Sequence, residues 1–249
     1  MMNQQLIQTP TDYTLCKWLA AFAEKHFGYD AEICDVGCGN GRLCTFLADQ
    51  GYRKVTGVDS SPLARVSDDR ISFHPTKFDE FARIHERRFD FVFCVDVLEH
   101  IQDDAEFVET LLKTIKPGGW LLLVTPAHQA LYGSRDVLYG HFRRYEKQQM
   151  SLLIPPKFRQ SMTIRYFGFG FFLKLAELLS SKGDAGDGQE STLEENTQRS
   201  LIHQPPAIYK VVHPLFKFTF PIFYIMDIAT SHFDQGCEMF VTVRCADTQ

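Results

Sequence analysis

The sequence lacks the features that mark several broad classes of protein. No run of lysine and arginine is longer than a pair, and the formal net charge is −5. A general electrostatic surface for nucleic acid phosphates is therefore not expected, and we predict no nucleic acid partner. The residues before Pro10 have neither a basic flank nor an apolar stretch, so no signal peptide is predicted.

The spacing of the cysteines along the chain does not indicate disulfide pairs or metal-ligand pairs. The seven cysteines are an odd number, and no C-x-x-C pair occurs. This pattern gives no support for a disulfide framework or a zinc site. We therefore predict buried thiols, a reducing compartment such as the cytoplasm, and no metal site.

Long hydrophobic runs are also missing. The most apolar segment, residues 211–228, is interrupted by His213, Pro214, Lys217 and Pro221, and it is shorter than the roughly 20 residues that a membrane-spanning helix needs. No transmembrane segment is expected. The segment remains open to several roles: part of the core, a lid over the substrate, a face of a homodimer, or peripheral contact with a membrane.

Short apolar runs alternate with helical patterns along the first half of the chain. Strands are predicted at residues 32–36, 55–59, 71–74, 89–96 and 120–125, and helices at residues 11–27, 41–49 and 103–115. This alternation predicts an α/β fold, a Rossmann-like seven-stranded and mostly parallel sheet with helices on both faces. Ligands are expected at the carboxyl ends of the strands.

The second half of the chain is expected to complete the same domain. Further strand patterns occur at residues 163–167 and 239–244, and a segment rich in glycine, serine and acidic residues lies between them. We predict a single domain over residues 1–249, with its core at residues 11–169 and 238–246. Residues 170–237 are predicted to form an α-rich insertion or lid before the last strand.

The most specific motif is a glycine-rich turn that follows the first strand. Residues 33–41 are ICDVGCGNG, in which Asp35 precedes Gly37, Gly39 and Gly41. Glycines permit a tight turn and a close approach of the backbone to a ligand. A carboxylate beside them suits a cationic ligand. The third glycine comes one residue earlier than in the G-x-G-x-x-G pattern, which counts against NAD.

Two further acids end neighbouring strands. Asp59 ends the second predicted strand about twenty residues after the turn, where a carboxylate can accept both hydroxyls of a ribose. Asp96 ends the fourth predicted strand and is followed by Val97. Because the carboxyl ends of parallel strands meet at one edge of the sheet, we expect these acids to face the glycine turn.

In order and spacing, these residues resemble the class I S-adenosylmethionine-dependent methyltransferases over about residues 33–126. The resemblance implies that the chain binds S-adenosyl-L-methionine, transfers its methyl group to a small-molecule acceptor by direct displacement, and releases S-adenosyl-L-homocysteine. It also implies that the amino group of the adenine meets residues 76–79, through Asp79 or a backbone group near Phe78. Carried over by position, the other cofactor-binding residues are Asp35, Gly37, Cys38, Gly39, Gly41, Asp59, Ser60, Asp96 and Val97.

The loop after the fifth strand is similar to a branch of that family linked to lipid, quinone or polysaccharide-related molecules. Because it should overhang the methyl group, His128, His141 and Tyr145 are predicted to contact the acceptor as catalytic residues. A histidine could take the proton of an acceptor hydroxyl, since an unperturbed imidazole has a pKa of about 6.5.

Other interpretations of the sequence stay open. Residues 141–145 could form only the first turn of a helix. The whole chain could be a non-catalytic S-adenosylmethionine- or nucleotide-binding regulatory module, or a nicotinamide dehydrogenase.

Overall fold

A seven-stranded sheet organises the part of the chain that the structure, a computed structural model, describes: residues 10–169, 220–231 and 236–245. The strand order is β3-β2-β1-β4-β5-β7-β6. Strands β1 to β5 pair in parallel, and β7 runs antiparallel between β5 and β6. The strands are β1 (Glu32–Val36), β2 (Lys54–Val58), β3 (Ile71–His74), β4 (Phe89–Val95), β5 (Ile115–Pro126), β6 (Thr163–Phe169) and β7 (Gly236–Arg244).

Helices cover both faces of this sheet. Two short 3-10 turns, Leu98–His100 and Gln129–Leu131, follow β4 and β5. The described helices are α1 (Pro10–His26), α2 (Arg42–Asp49), α3 (Phe78–Arg83), α4 (Asp104–Lys113), α5 (Ser134–Tyr139), α6 (Lys147–Leu153), α7 (Pro156–Arg159) and α8 (Phe220–Thr230). None of the helices within the described ranges is long and apolar enough to cross a membrane.

The side chains of β4 alternate between two apolar clusters, one on each face of the sheet. Phe91 and Phe93 pack with α1 and α2, whereas Val92 and Cys94 pack with α3, α4 and α6. Successive residues of a strand point to opposite faces, so a strand buried on both sides is a continuous apolar run. This explains why β4 is continuously apolar from Phe91 to Val95 rather than alternating.

The predicted α/β fold is confirmed, and the differences lie at the ends of elements. Ile115 was predicted to end a helix, but it begins β5, because it pairs with Phe89 across the sheet. Residues 141–145, which could have formed the first turn of a helix, precede α6, which begins at Lys147, and Tyr145 forms a β-bridge with Ala127. Of the predicted insertion, residues 170–219 and 232–235 lie outside the described residues. Helix α8 lies within the insertion and packs against α1 and β6.

The strand order reverses beside β1, which has β2 on one side and β4 on the other. At such a switch point the connections leave in opposite directions, and a crevice opens beyond the carboxyl ends of the strands. The glycine turn follows β1, and Asp59 and Asp96 follow its two neighbours. The fold therefore brings the predicted cofactor residues to one crevice.

We expect Leu123→Ala to lower the free energy of unfolding by about 2–5 kcal/mol, because it removes buried methyl groups from a central strand. Leu123 is fully buried in β5. The matched control is Leu152→Ala in α6, whose side chain is 64% exposed. Urea unfolding of both variants tests the sheet assignment, which would be contradicted if the two substitutions cost the same.

Candidate functional site

The glycine turn after β1 has a backbone that only glycine adopts readily. Gly37 and Gly41 have φ angles of 77° and 70°. A Cβ on Gly37 would lie 2.2 Å from Cγ2 of Val97, and one on Gly41 would lie 2.9 Å from the side chain of Val66. The amides of Gly37 and Cys38 donate to the carbonyl of Val58, at 2.8 and 3.2 Å. The turn is therefore fixed to β2 and closely approached by the tip of β4.

Asp59 faces this turn from the end of β2. Its Oδ2 accepts the amide of Gly39 at 2.8 Å, and its Oδ1 accepts the amide of Ser61 at 2.7 Å. Each carboxylate oxygen has a second lone pair, so the group can still accept two hydroxyls. Ser60, between these partners, is exposed. Asp59 thus lies where the sequence predicted a ribose-binding carboxylate.

Asp35 is the buried acid beneath the turn. Its side chain is 2% exposed, and its Oδ2 accepts from Sγ of Cys44 at 3.4 Å. Burial raises the pKa of Asp35 to about 7, although the Cys44 contact opposes that rise. A cation bound beside Asp35 would favour its ionised form. Cys38 is also buried, and its Sγ lies against Gly57 of β2.

The tip of β4 has a strained backbone. Asp96 has a φ of 54°, an uncommon value for a residue other than glycine. Its amide donates to the carbonyl of Val124 at 3.0 Å, and its side chain is exposed. Strain of this kind clusters at ligand sites when the surroundings impose it. Asp96 and Val97 therefore lie at the carboxyl edge, next to the turn.

The side chains of the two residues predicted beside the adenine, Phe78 and Asp79, differ in burial. Phe78 begins α3 and is buried, with its ring 5.6 Å from that of Phe107. Asp79 is exposed at the start of the same helix. The ring of Phe78 therefore belongs to the core, and Asp79 is the accessible side chain of the pair.

A histidine and an aspartate in the segment after β5 form a hydrogen-bonded pair. Nδ1 of His141 lies 2.9 Å from Oδ1 of Asp136. Asp136 also accepts from Nε of Arg144, at 2.9 and 3.0 Å, and from the amide of Gly133 at 2.9 Å. Burial alone would raise the pKa of Asp136, but these hydrogen bonds outweigh it and lower that pKa. An ionised Asp136 assigns the proton of His141 to Nδ1.

The other nitrogen of His141 faces Glu99. The distance from Nε2 to Oε1 of Glu99 is 3.9 Å, and the rings of His100 and His141 are 4.7 Å apart. Burial raises the pKa of Glu99 and lowers that of His100 to about 4. One ligand atom from each of the three residues lies within 4.8 Å of the others, a geometry that could hold a divalent cation. The sequence predicted no such group, because its members lie in two segments without a recognised spacing.

Buried polar atoms without a hydrogen-bond partner concentrate at this end of the sheet. Buried polar groups are normally paired, so each such atom calls for a ligand, an ion or an ordered water. They lie after β4, at the end of β5 and just beyond it, and near the start of β7. Within the described residues these atoms are both carboxyl oxygens of Glu99, Nδ1 of His100, Oγ1 of Thr125, Nε2 of His128 and Oε2 of Glu238.

The other two predicted acceptor contacts have different surroundings. The ring of His128 stacks on Tyr166 at 5.3 Å, and its Nδ1 is 3.5 Å from Oε2 of Glu146. Tyr145 is buried, and its hydroxyl lies 3.1 Å from the carbonyl of Leu98 and 3.0 Å from Oδ2 of Asp104. Tyr145 therefore ties the loop to α4, and we do not retain it as an acceptor contact.

Sequence reasoning missed the charged residues that support His141. Asp136 and Arg144 lie in the loop after β5 that the sequence analysis linked to the acceptor, and they form an ion pair there. Glu99 lies in the 3-10 turn after β4, and Glu238 lies near the start of β7. Nothing in the local sequence indicates that either is buried.

Comparisons with known proteins agree with this site. A sequence profile described as a methyltransferase domain matches residues 7–166. A ubiquinone biosynthesis O-methyltransferase of Hydrogenovibrio crunogenus is 36% identical over 101 residues, 37% of this chain and 42% of that protein. A tRNA U34 carboxymethyltransferase of Wolinella succinogenes is 32% identical over 143 residues, 54% of this chain and 50% of that protein. The match thus spans half or less of these relatives.

Among solved structures, the fold is similar to phosphoethanolamine N-methyltransferase 2 of Haemonchus contortus in complex with S-adenosyl-L-methionine. The TM-score is 0.56 at 16% identity, over 96% of this chain and 58% of that chain. At this identity the similarity concerns the fold alone. The profile match, by contrast, includes the glycine turn, the acids of β2 and β4, and the His141 loop. The chain therefore belongs to the methyltransferase domain family.

Proposed function

We propose that the protein transfers a methyl group from S-adenosyl-L-methionine to a hydroxyl of a small-molecule acceptor by direct displacement. The observation that carries this proposal is one crevice with two unlike halves. Acids around a glycine turn line one half, and His141 with several unpartnered polar atoms lines the other. Family membership and the O-methyltransferase relatives support the same activity.

S-adenosyl-L-methionine supplies a methyl group bound to a positively charged sulfur. The glycine turn at Gly37 and Gly39 gives the ligand access to the backbone, and Asp59 accepts its ribose hydroxyls. Asp35 and Asp96 are suited to the cationic portion of the methionine half. Cys38, Gly41, Ser60, Asp79 and Val97 complete the proposed contacts, and a pyrophosphate would be disfavoured among so many carboxylates.

His141 is the proposed general base. Asp136 holds the proton on Nδ1, so the lone pair of Nε2 is directed to the side of Glu99 and His100. As the acceptor oxygen attacks the methyl carbon, its proton passes to Nε2. Positioning of the two reactants contributes much of the acceleration in such a displacement. The unpartnered oxygens of Glu99 and Glu238 favour an acceptor that donates further hydrogen bonds.

The acceptor is proposed to be quinone-related, on the name of the ubiquinone biosynthesis relatives. One relative is named a tRNA U34 carboxymethyltransferase, so a nucleic acid acceptor is the alternative to be tested, although a net charge of −5 disfavours binding to phosphates.

We also propose one domain over residues 1–249, with residues 170–237 as an insertion or lid. Seven buried free thiols support a cytoplasmic location.

A second binding surface is proposed on α8. Ile222, Ile225, Met226 and Ile228 are 42% to 64% exposed on this helix. Clustered exposed aliphatic side chains indicate contact with a partner or a membrane. We propose peripheral contact with a lipid surface, which suits an apolar acceptor; a homodimer is the alternative outcome. Residues 211–219 of the segment predicted for this contact lie outside the described residues.

The first prediction concerns cofactor binding. Gly39→Arg should abolish binding of S-adenosylhomocysteine, because a side chain would fill the space above the turn at a φ of 53°. Gly28→Arg is the matched control, since a Cβ at Gly28 has nothing within 4 Å. Calorimetry with S-adenosylhomocysteine and with NAD measures both. Binding of NAD alone by the unsubstituted protein would favour a dehydrogenase.

The second prediction concerns the base. His141→Ala should lower kcat by about 10²–10⁴-fold, the usual contribution of general base catalysis, with little change in affinity for S-adenosylhomocysteine. His26→Ala, at the far end of α1, is the control. Normal turnover in the His141 variant would remove its proposed role.

The same assay is run on the unsubstituted protein with a chelator. Turnover lost on chelation and restored by a divalent cation would assign Glu99, His100 and His141 to that ion instead. Ligand binding without turnover on any of a broad panel of acceptors would favour the regulatory module.

The third prediction concerns α8. Ile225→Glu should reduce co-sedimentation with lipid vesicles several-fold, because a charge replaces an exposed apolar side chain on the proposed contact face. Leu152→Glu, equally exposed on α6, should have no effect. A change in oligomeric state without a change in vesicle binding would identify the face as a dimer contact.

A further inference from the structure

A cavity lies at the edge of the sheet opposite the crevice. Its volume is about 350 Å³, a size that small-molecule sites commonly have. It opens between α4, α7 and the amino ends of β4 and β5, where β5 begins at Ile115. The glycine turn and the acids of the crevice follow the carboxyl ends of the parallel strands instead. The cavity is therefore separate from the crevice and has no part in the function described so far.

Several of the side chains that line this cavity are apolar. Leu112 and Ile115 are buried members of the core, and the half-buried ring of Phe158 packs against it. Cys245, directly after β7, is buried as well. Burial raises the pKa of its thiol to about 11, although Lys157 opposes that rise, so the thiol is neutral. The lining can therefore pack against an apolar molecular body.

Three cationic side chains line the same cavity, those of Arg87, Lys113 and Lys157, and all three are exposed. With the described part of the chain as possible partners, none of them forms an ion pair. Two acids, Glu86 and Glu109, also line the cavity, so three cations and two acids leave one net positive charge. The ammonium of Lys157 lies 4.7 Å from the centre of the neighbouring aromatic ring of α7. Positive charge is thus available beside the apolar surface.

The backbone holds one of these cations in a strained conformation. Arg87 has a φ of 48°, a region that favours glycine. Its amide donates to the carbonyl of Lys113 at 2.9 Å, and the amides of Arg88 and Phe89 donate to that of Thr114 at 2.8 and 3.0 Å. The end of α4 therefore imposes this conformation. Residues that keep a side chain in such a region cluster at ligand sites.

We infer that the cavity binds a small amphipathic anion, with its carboxylate or phosphate among Arg87, Lys113 and Lys157 and its apolar body against Phe158. A cationic ligand would be repelled by the three cations, and a wholly polar anion would leave the apolar lining without a partner. A guanidinium binds either acidic group through two parallel hydrogen bonds, and lysines add point charges. This inference does not depend on methyl transfer.

Four probes test the inference by calorimetry: naphthoate, naphthyl phosphate, the neutral naphthamide and inorganic phosphate. Saturating S-adenosylhomocysteine is present in each titration, so that the crevice is blocked. At least one naphthyl anion should bind, and the tighter of the two identifies the acidic group. Naphthamide should bind about 10–100-fold more weakly, the usual loss when hydrogen bonds to a charged group are removed. Inorganic phosphate should also bind more weakly, because it lacks the apolar body.

Substitutions then locate the bound probe. Arg87→Gly should weaken the tighter anion about 10–100-fold and leave the melting temperature unchanged or higher, because glycine relieves the positive φ. Lys157→Gln should weaken the same anion without altering the strained backbone, so it decides the test if Arg87→Gly lowers the melting temperature. Arg83→Gln is the matched control, since Arg83 is exposed at the end of α3 and does not line the cavity.

Three results would overturn the inference: no binding by any probe, equal binding of naphthoate, naphthyl phosphate and naphthamide, or unchanged affinity in the Arg87 and Lys157 variants. Binding that occurs only without S-adenosylhomocysteine would place the probe in the crevice and also count against the cavity. Failure of S-adenosylhomocysteine to bind would contradict the proposed function alone, because the two variants still report on the cavity.

Discussion

The contact between the glycine turn after β1 and the tip of β4 is the constraint on which the rest of the site depends. Gly37 approaches Val97 so closely that a single added carbon would lie 2.2 Å from it. This approach brings the turn that follows Asp35 against the residue that follows Asp96, and the amide of Gly39 donates to Asp59 on the other side. The donor half of the crevice is thus shaped mainly by the backbone, which tolerates little change.

The half that we propose for the acceptor is built from buried charge instead. Arg144 and His141 both donate to Asp136, and the resulting network keeps that carboxylate ionised although it is buried. Burial raises the pKa of Glu99 and Glu238, so these acids tend to be neutral unless a cation or a donor reaches them. The two halves therefore differ. Close backbone contacts fix the shape of the first, whereas the protonation of the buried acids in the second depends on what binds there.

Much of the fold and the donor half could be predicted from the sequence, because their signals are local. The strand at residues 32–36 was predicted at its observed bounds, and the glycines that require a positive φ follow it directly. The acceptor half depends on contacts between distant segments, such as Glu99 with His141, which no periodicity reveals. The burial of Tyr145 against Leu98 and Asp104 is likewise a tertiary property that the local sequence does not indicate.

Strain and unpaired polar groups occur together at the carboxyl edge. Asp96, directly after β4, and His128, two residues after β5, adopt φ angles of 54° and 64°. Each such backbone costs of order 1–3 kcal/mol and persists only where the surroundings impose it. Continuous apolar clusters on both faces of the sheet supply that support. Nε2 of His128 and both carboxyl oxygens of Glu99 have no hydrogen-bond partner in the same region. A polar molecule or ion bound there would supply the missing contacts.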